Sequence, residues 1–232
     1  MNKKLLLAMA IAATSIGNAS AQDLSISFTN LTHGSHFTPL LFSAHADDQH
    51  IFEINTSASA NLQAMAEGGE ISGLVSDLTA VTADITANPA AGLMAPGQSV
   101  NFELSTQEIN THLSMAAMIL PTNDGFVGLD SLNIPTEEGT YTYYLNAYDA
   151  GTEVNDEIIN GGAAPGAAGI PADPLKQNGS AASGVTNSEN NTNIHIHRGV
   201  IGDTDATGGA SDLDSRVHRW LNPIARLVIE VK

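Results

Sequence analysis

"GTYTYYLNAYDAGTEVND", residues 139–156, decides how this chain is read. Up to Tyr148 it is a Tyr- and Thr-rich alternating run, the pattern of a half-buried β-strand. At Asp149 the run ends on a carboxylate. A Gly151-Thr152 turn follows, then Glu153, Asp156 and Glu157. An acidic turn at a strand end is either an ordinary solvated turn or one side of a cation site. The glycine matters to that choice, because it lets the chain curl until Asp149 and Glu153 point the same way.

Further strand patterns lie on both sides. Residues 24–32, 98–105, 111–120, 125–134, 192–201 and 225–232 each read as strands, and 37–45 is an apolar stretch broken early by Pro39. Pro121 ends the strongly apolar 111–120 run, and an Asn123-Asp124-Gly125 turn opens the next. Residues 57–66 look helical, with Ser57 or Ser59 as cap and Gly68-Gly69 as stop. Residues 70–87 hold a second helix weakened by Thr and Val, and 160–191 form a long irregular loop rich in Gly, Ala and Asn. Many short strands with one helical region predict an all-β fold, an antiparallel β-sandwich with a short helical insertion. With no internal repeat and strands at both ends, residues 22–232 read as a single domain.

Residues 1–21 read as a signal peptide of bacterial type: Lys3-Lys4, an apolar stretch too short to span a bilayer, and Ala19-Ser20-Ala21 as cleavage site. An exported protein is expected, periplasmic or extracellular and not integral to a membrane. The 232 residues carry a net charge of −17, and removing Lys3 and Lys4 takes it to −19. Such acidity argues against nucleic acid, whose phosphates need Lys and Arg, and favours divalent cations. With no cysteine there are no disulfides, thiolate metal sites or cysteine nucleophiles.

Three constellations bear on function. The first is carboxylates in strand-end turns: Asp124 in "PTNDGFVG", and Asp149 and Glu153 around "DAGTE". Calcium takes hard oxygen ligands from flexible turns of this kind. The spacing is not that of an EF-hand. The second is histidine, of which there are eight. His195 and His197 stand two apart on a predicted strand and so share a face. With His45 they offer three nitrogens for copper or zinc, the alternative being polar residues on a solvated face. The third is catalysis. Ser, His and Asp are all present, but no nucleophile elbow, zinc-protease helix or phosphate-binding loop occurs, so no enzyme is expected. The acidic loop 203–215, with Asp203, Asp205, Asp212 and Asp214, reads as solvated, with a second, weaker calcium site as the alternative.

"NDGFVGLDSLNI", "YLNAYDAGTEVND" and "NPIARLVIEV", in that order, resemble the spondin N-terminal domain family. "FTPLLFSAH" and "INTSASANLQAMAEGGE" resemble stretches common in its bacterial members. The likeness implies a β-sandwich similar to calcium-dependent lipid-binding domains. It implies calcium held by an aspartate before an aromatic-Val-Gly turn and by the two acids of an Asp-Ala-Gly-Thr-Asp motif. Those positions are here Asp124, Asp149 and Glu153. The chain departs from the pattern in having Gly125 between Asp124 and the aromatic Phe126, and Glu153 in place of the last aspartate. Asp156 and Glu157 are left as solvated neighbours. The resulting expectation is an exported, non-enzymatic calcium-binding module for adhesion, its partner a protein or polysaccharide. A periplasmic copper- or zinc-binding protein is the alternative.

Overall fold

A computed structural model describes residues 20–175, 179–185 and 190–232. The expected signal peptide falls almost wholly outside them, as do parts of the 160–191 loop. The strands are β1 (Asp23–Asn30), β2 (His36–Phe37), β3 (Leu41–His45), β4 (Asp84–Ala87), β5 (Ser99–Ser105), β6 (His112–Leu120), β7 (Gly125–Asn133), β8 (Gly139–Asp149), β9 (His195–Ile196) and β10 (Ala225–Val231). Two helices, α1 (Ala60–Gly68) and α2 (Ser72–Ala80), separate β3 from β4. The all-β fold with a short helical insertion is therefore the one the sequence patterns predict.

The strands join in one path, β4-β3-β6-β7-β8-β10-β1-β5, with β2 added to β6 and β9 to β8. Every ladder along it is antiparallel. The path curls into a nearly closed barrel, bringing its two ends, β4 and β5, side by side. Side chains bridge that seam: the Asp84 carboxylate on β4 accepts from Gln107 N–H at 2.7 Å and Asn110 Nδ2 at 2.8 Å, just beyond β5.

Two cores result. Phe28, Phe42, Leu113, Met115, Ala117, Ile119, Leu227 and Ile229 fill the inside of the curl. Outside it, Leu62, Met65, Leu74 and Leu78 of the helices pack on Leu41, Ala116, Met118, Leu120 and Phe126. Successive residues of β6 thus alternate between two apolar environments, which is why 111–120 reads as an unbroken apolar run. Ser59 caps α1, its hydroxyl accepting from Leu62 N–H at 3.1 Å. Gly69 closes the helix with φ +72°, where a side chain would be strained.

The 37–45 stretch breaks at residues 38–40 around Pro39, as expected, which leaves β2 and β3 on either side. Two local expectations are corrected. The helix expected through residue 87 stops at Ala80. Thr82 turns the chain with φ +58°, and Asp84–Ala87 then pair with β3. Partner strand and β-branched residues together override the local helical signal. The strand expected at 192–201 shrinks to His195–Ile196 on the edge of β8.

Candidate cation site at the end of the sheet

Asp124 and Asp149 meet because β7 and β8 pair in register. Gly125, the first residue of β7, lies opposite Asp149, the last of β8. The Asp124 turn is held by Thr122, whose hydroxyl donates to the Ile119 carbonyl at 2.6 Å and accepts from Gly125 N–H at 3.0 Å. The "DAGTE" turn then wraps round Asp124. Its Oδ2 accepts from Thr152 N–H at 2.8 Å, Thr152 Oγ1 at 3.1 Å and Glu153 N–H at 3.0 Å. Gly151 has φ +70°, and a Cβ there would lie 2.6 Å from the Thr192 carbonyl carbon, so only glycine lets the segment leading to β9 approach.

The electrostatics of this pair are unusual. Asp124 is fully buried, and its Oδ1 has no hydrogen-bond donor. Burial and then the neighbouring Asp149 carboxylate push its pKa up to about 7, against the pull of the Glu153 and Thr152 N–H groups. Asp149 is buried too. Its Oδ1 accepts from Gly151 N–H at 2.8 Å and its Oδ2 from Asn155 Nδ2 at 2.6 Å. Two adjacent buried carboxylates are unfavourable unless a proton or a cation is added.

Glu153 joins this site through its backbone rather than its carboxylate. Its Oε2 accepts from Gly169 N–H at 2.9 Å and from Asn123 Nδ2 at 3.4 Å, and its Oε1 is buried without a donor. Burial raises this carboxyl to about 7 against the Gly169 N–H, with Glu67 and Asp156 nearby adding to the rise. Among the described residues, no three His, Cys, Asp or Glu side chains already stand together as a metal-ligand group. A cation here needs backbone carbonyls, water or a side chain that moves.

The three histidines do not converge. His45 pairs with His112 at the far end of β6, opposite Asn133 of β7. That end is eight residues along β7 from Gly125, roughly 26 Å at about 3.3 Å per residue. Both His45 nitrogens are also engaged, Nδ1 with the Ala46 carbonyl at 2.8 Å and Nε2 with Ser114 Oγ at 2.7 Å. His195 and His197 flank the exposed Ile196, and each is less exposed than it. They differ in tautomer, however. His197 Nδ1 accepts from Gly199 N–H at 2.9 Å, so its neutral ring carries the proton on Nε2. His197 packs against Trp220 instead, at 5.3 Å between ring centroids. His195 stands directly opposite Asp149, with Nε2 3.8 Å from Asp149 Oδ2.

One acidic expectation changes. Glu157 is buried rather than solvated. Its carboxylate accepts from Ile201 N–H at 2.6 Å, Gly202 N–H at 2.9 Å and Ser211 Oγ at 2.5 Å. It anchors the C-terminal loops, with nothing in its sequence spacing to announce that. In the 203–215 loop, Asp203 accepts from the N–H groups of Ser211, Ala210 and Asp205, which hold its carboxyl below the usual range. Asp214 is paired with Arg216 and held down to about 2. A cavity of about 240 Å³ opens beside these aspartates, but their oxygens already serve the loop's own donors. The sequence reasoning also missed Asn123 and Asn155, whose amides support Glu153 and Asp149. Asparagine is too common in turns for its position to have stood out.

Comparison with known families places the chain. The Spondin_N family model matches residues 25–159, more than half of the sequence. The chain belongs to the Spondin_N family. The match takes in Asp124, Asp149 and Glu153 and ends before His195 and β10. No curated protein matches the chain. No helix among the described residues is long and apolar enough to cross a membrane.

Proposed function

We propose that this chain is an exported, non-enzymatic binding module of the spondin type. The loop end of its sheet takes one divalent cation between Asp124 and Asp149, with calcium the ion that the family likeness implies. The observation that carries this reading is Asp124: a fully buried carboxylate beside a second one, with one oxygen lacking any donor. A divalent ion would supply the missing partner and relieve the repulsion together. Asp124 and Asp149 are the primary ligands. Glu153, whose carboxylate is turned to Gly169 and Asn123, becomes the third carboxylate of the set when its side chain swings toward the ion. The ion's part is electrostatic: it orders the 122–125 and 149–153 turns.

The presented surface lies next to this end. Ile196 follows His195 and is 45% exposed, and Leu221, 86% exposed, precedes Asn222, whose Nδ2 donates to the His197 carbonyl at 3.4 Å. Apolar side chains exposed beside an ordered turn suit a macromolecular partner, a protein or polysaccharide, better than a small substrate. Thermal unfolding tests the cation site: calcium should raise Tm, EDTA should lower it, and Asp149→Asn should remove the difference. A calcium response that survives Asp149→Asn would overturn the assignment.

A further inference from the structure

His195 lies outside the segment that matches the family model, yet the fold delivers it to the cation site. The β8–β9 ladder sets it opposite Asp149, and Gly151 leaves room for the chain that leads to it. The ring is oriented by its own backbone: Nδ1 lies 2.8 Å from the Asn193 carbonyl oxygen. A carbonyl can only accept, so the proton of the neutral ring sits on Nδ1 and the lone pair on Nε2. Nε2 is the nitrogen 3.8 Å from Asp149 Oδ2, and the side chain is 22% exposed. A backbone carbonyl that accepts from one ring nitrogen, so that the other presents its lone pair, is how metal-bound histidines are commonly held.

We propose that His195 is a ligand of the cation held by Asp124 and Asp149, binding through Nε2. This nitrogen makes the site bind zinc-class divalent ions more tightly than calcium. The proposal rests on the reading that Asp124 and Asp149 hold a divalent cation. Its chemistry is ligand hardness. Calcium gains little from imidazole, being satisfied by oxygen, whereas a carboxylate-carboxylate-imidazole set suits zinc and its neighbours. The donors are Asp149 Oδ2, the bare Asp124 Oδ1 and His195 Nε2. They are not yet closed into a cluster, so binding draws the edge strand β9 toward the ends of β7 and β8. The copper or zinc expected of a histidine trio is thereby moved to a site with one histidine. His45 is too distant for it, and His197 has the wrong tautomer.

The test is calorimetric titration of the full chain, without a His-tag, with Zn²⁺ and with Ca²⁺ separately. Wild type, His195→Ala and Asp149→Asn are compared. Wild type should bind Zn²⁺ at least tenfold more tightly than Ca²⁺, and Zn²⁺ should displace Ca²⁺ at one equivalent. His195→Ala should weaken Zn²⁺ tenfold or more while changing Ca²⁺ less than threefold. Bound Mn²⁺ should show ¹⁴N coupling in pulsed electron paramagnetic resonance, lost in His195→Ala. An unchanged Zn²⁺/Ca²⁺ ratio in His195→Ala, or no ¹⁴N coupling in wild type, overturns the proposal while leaving the carboxylate site intact. Unchanged binding of both ions in Asp149→Asn instead defeats the underlying cation reading.

Discussion

Replacing Asp124 by asparagine should stabilise the metal-free protein while abolishing its response to calcium. Folding raises the Asp124 carboxyl from an ordinary 3.8 to about 7. At about 1.4 kcal/mol per unit, ionising it in the folded state costs on the order of 4 kcal/mol. Because the folded value is the higher one, this group favours folding fully below about pH 4. That contribution is lost as pH rises through about 7. Metal-free wild type should therefore lose stability across that window. Asparagine does not titrate. Its oxygen can still accept from Thr152 and Glu153, and its amide would stand where Oδ1 has no donor, near Asp149. Neutral hydrogen bonds are weaker than those to a carboxylate, which takes back part of the gain. In EDTA at pH 8 we expect Asp124→Asn to be more stable by about 2–4 kcal/mol, a Tm rise of roughly 4–16 °C for a chain of this size. At pH 4 the gap should nearly close. Saturating calcium should raise wild type by about 2.7 kcal/mol at a hundredfold excess over Kd and leave the variant unmoved. Scanning calorimetry at both pH values, with and without calcium, measures all four quantities. A variant that is no more stable than wild type at pH 8 in EDTA would refute the reasoning.

Other substitutions probe the framework. Gly151→Ala places a Cβ 2.6 Å from the Thr192 backbone at φ +70°. It should cost more than about 2 kcal/mol and weaken cation binding, seen as a lower Tm and a smaller calcium shift. Phe126→Ala removes a fully buried ring that meets Phe52 edge-on at 5.0 Å and stacks with Tyr148 at 5.5 Å. We expect a loss of about 3–5 kcal/mol in denaturant unfolding. Glu157→Ala leaves Ile201 N–H, Gly202 N–H and Ser211 Oγ without their acceptor. Proteolysis should then cut the 201–215 loops faster, and stability should fall by about 2–4 kcal/mol. Ser59→Ala removes one cap bond and should cost only about 1 kcal/mol, read from the same denaturant curves.

Alternation and punctuation made most of the strands legible. β5, β8 and β10 stand within a residue or two of where period-two patterning puts them, because each has one face toward the inner core. β6 was equally plain for the opposite reason, being apolar on both faces. β4 and β9 were not, since four- and two-residue strands exist only through the neighbour they pair with. The site divides in the same way. Asp124 and Asp149 could be picked out because each sits in a glycine-containing turn at a strand end, and such turns are local. Sequence alone therefore determined an acidic, cysteine-free all-β chain with two carboxylate turns. Only the tertiary structure decided that β7–β8 register buries those carboxylates together, that Glu153 contributes its backbone to Asp124, and that His195 rather than His45 or His197 stands beside Asp149. Those outcomes depend on pairing between segments far apart in the chain, and on which hydrogen bond orients each ring. No local pattern of residues encodes either.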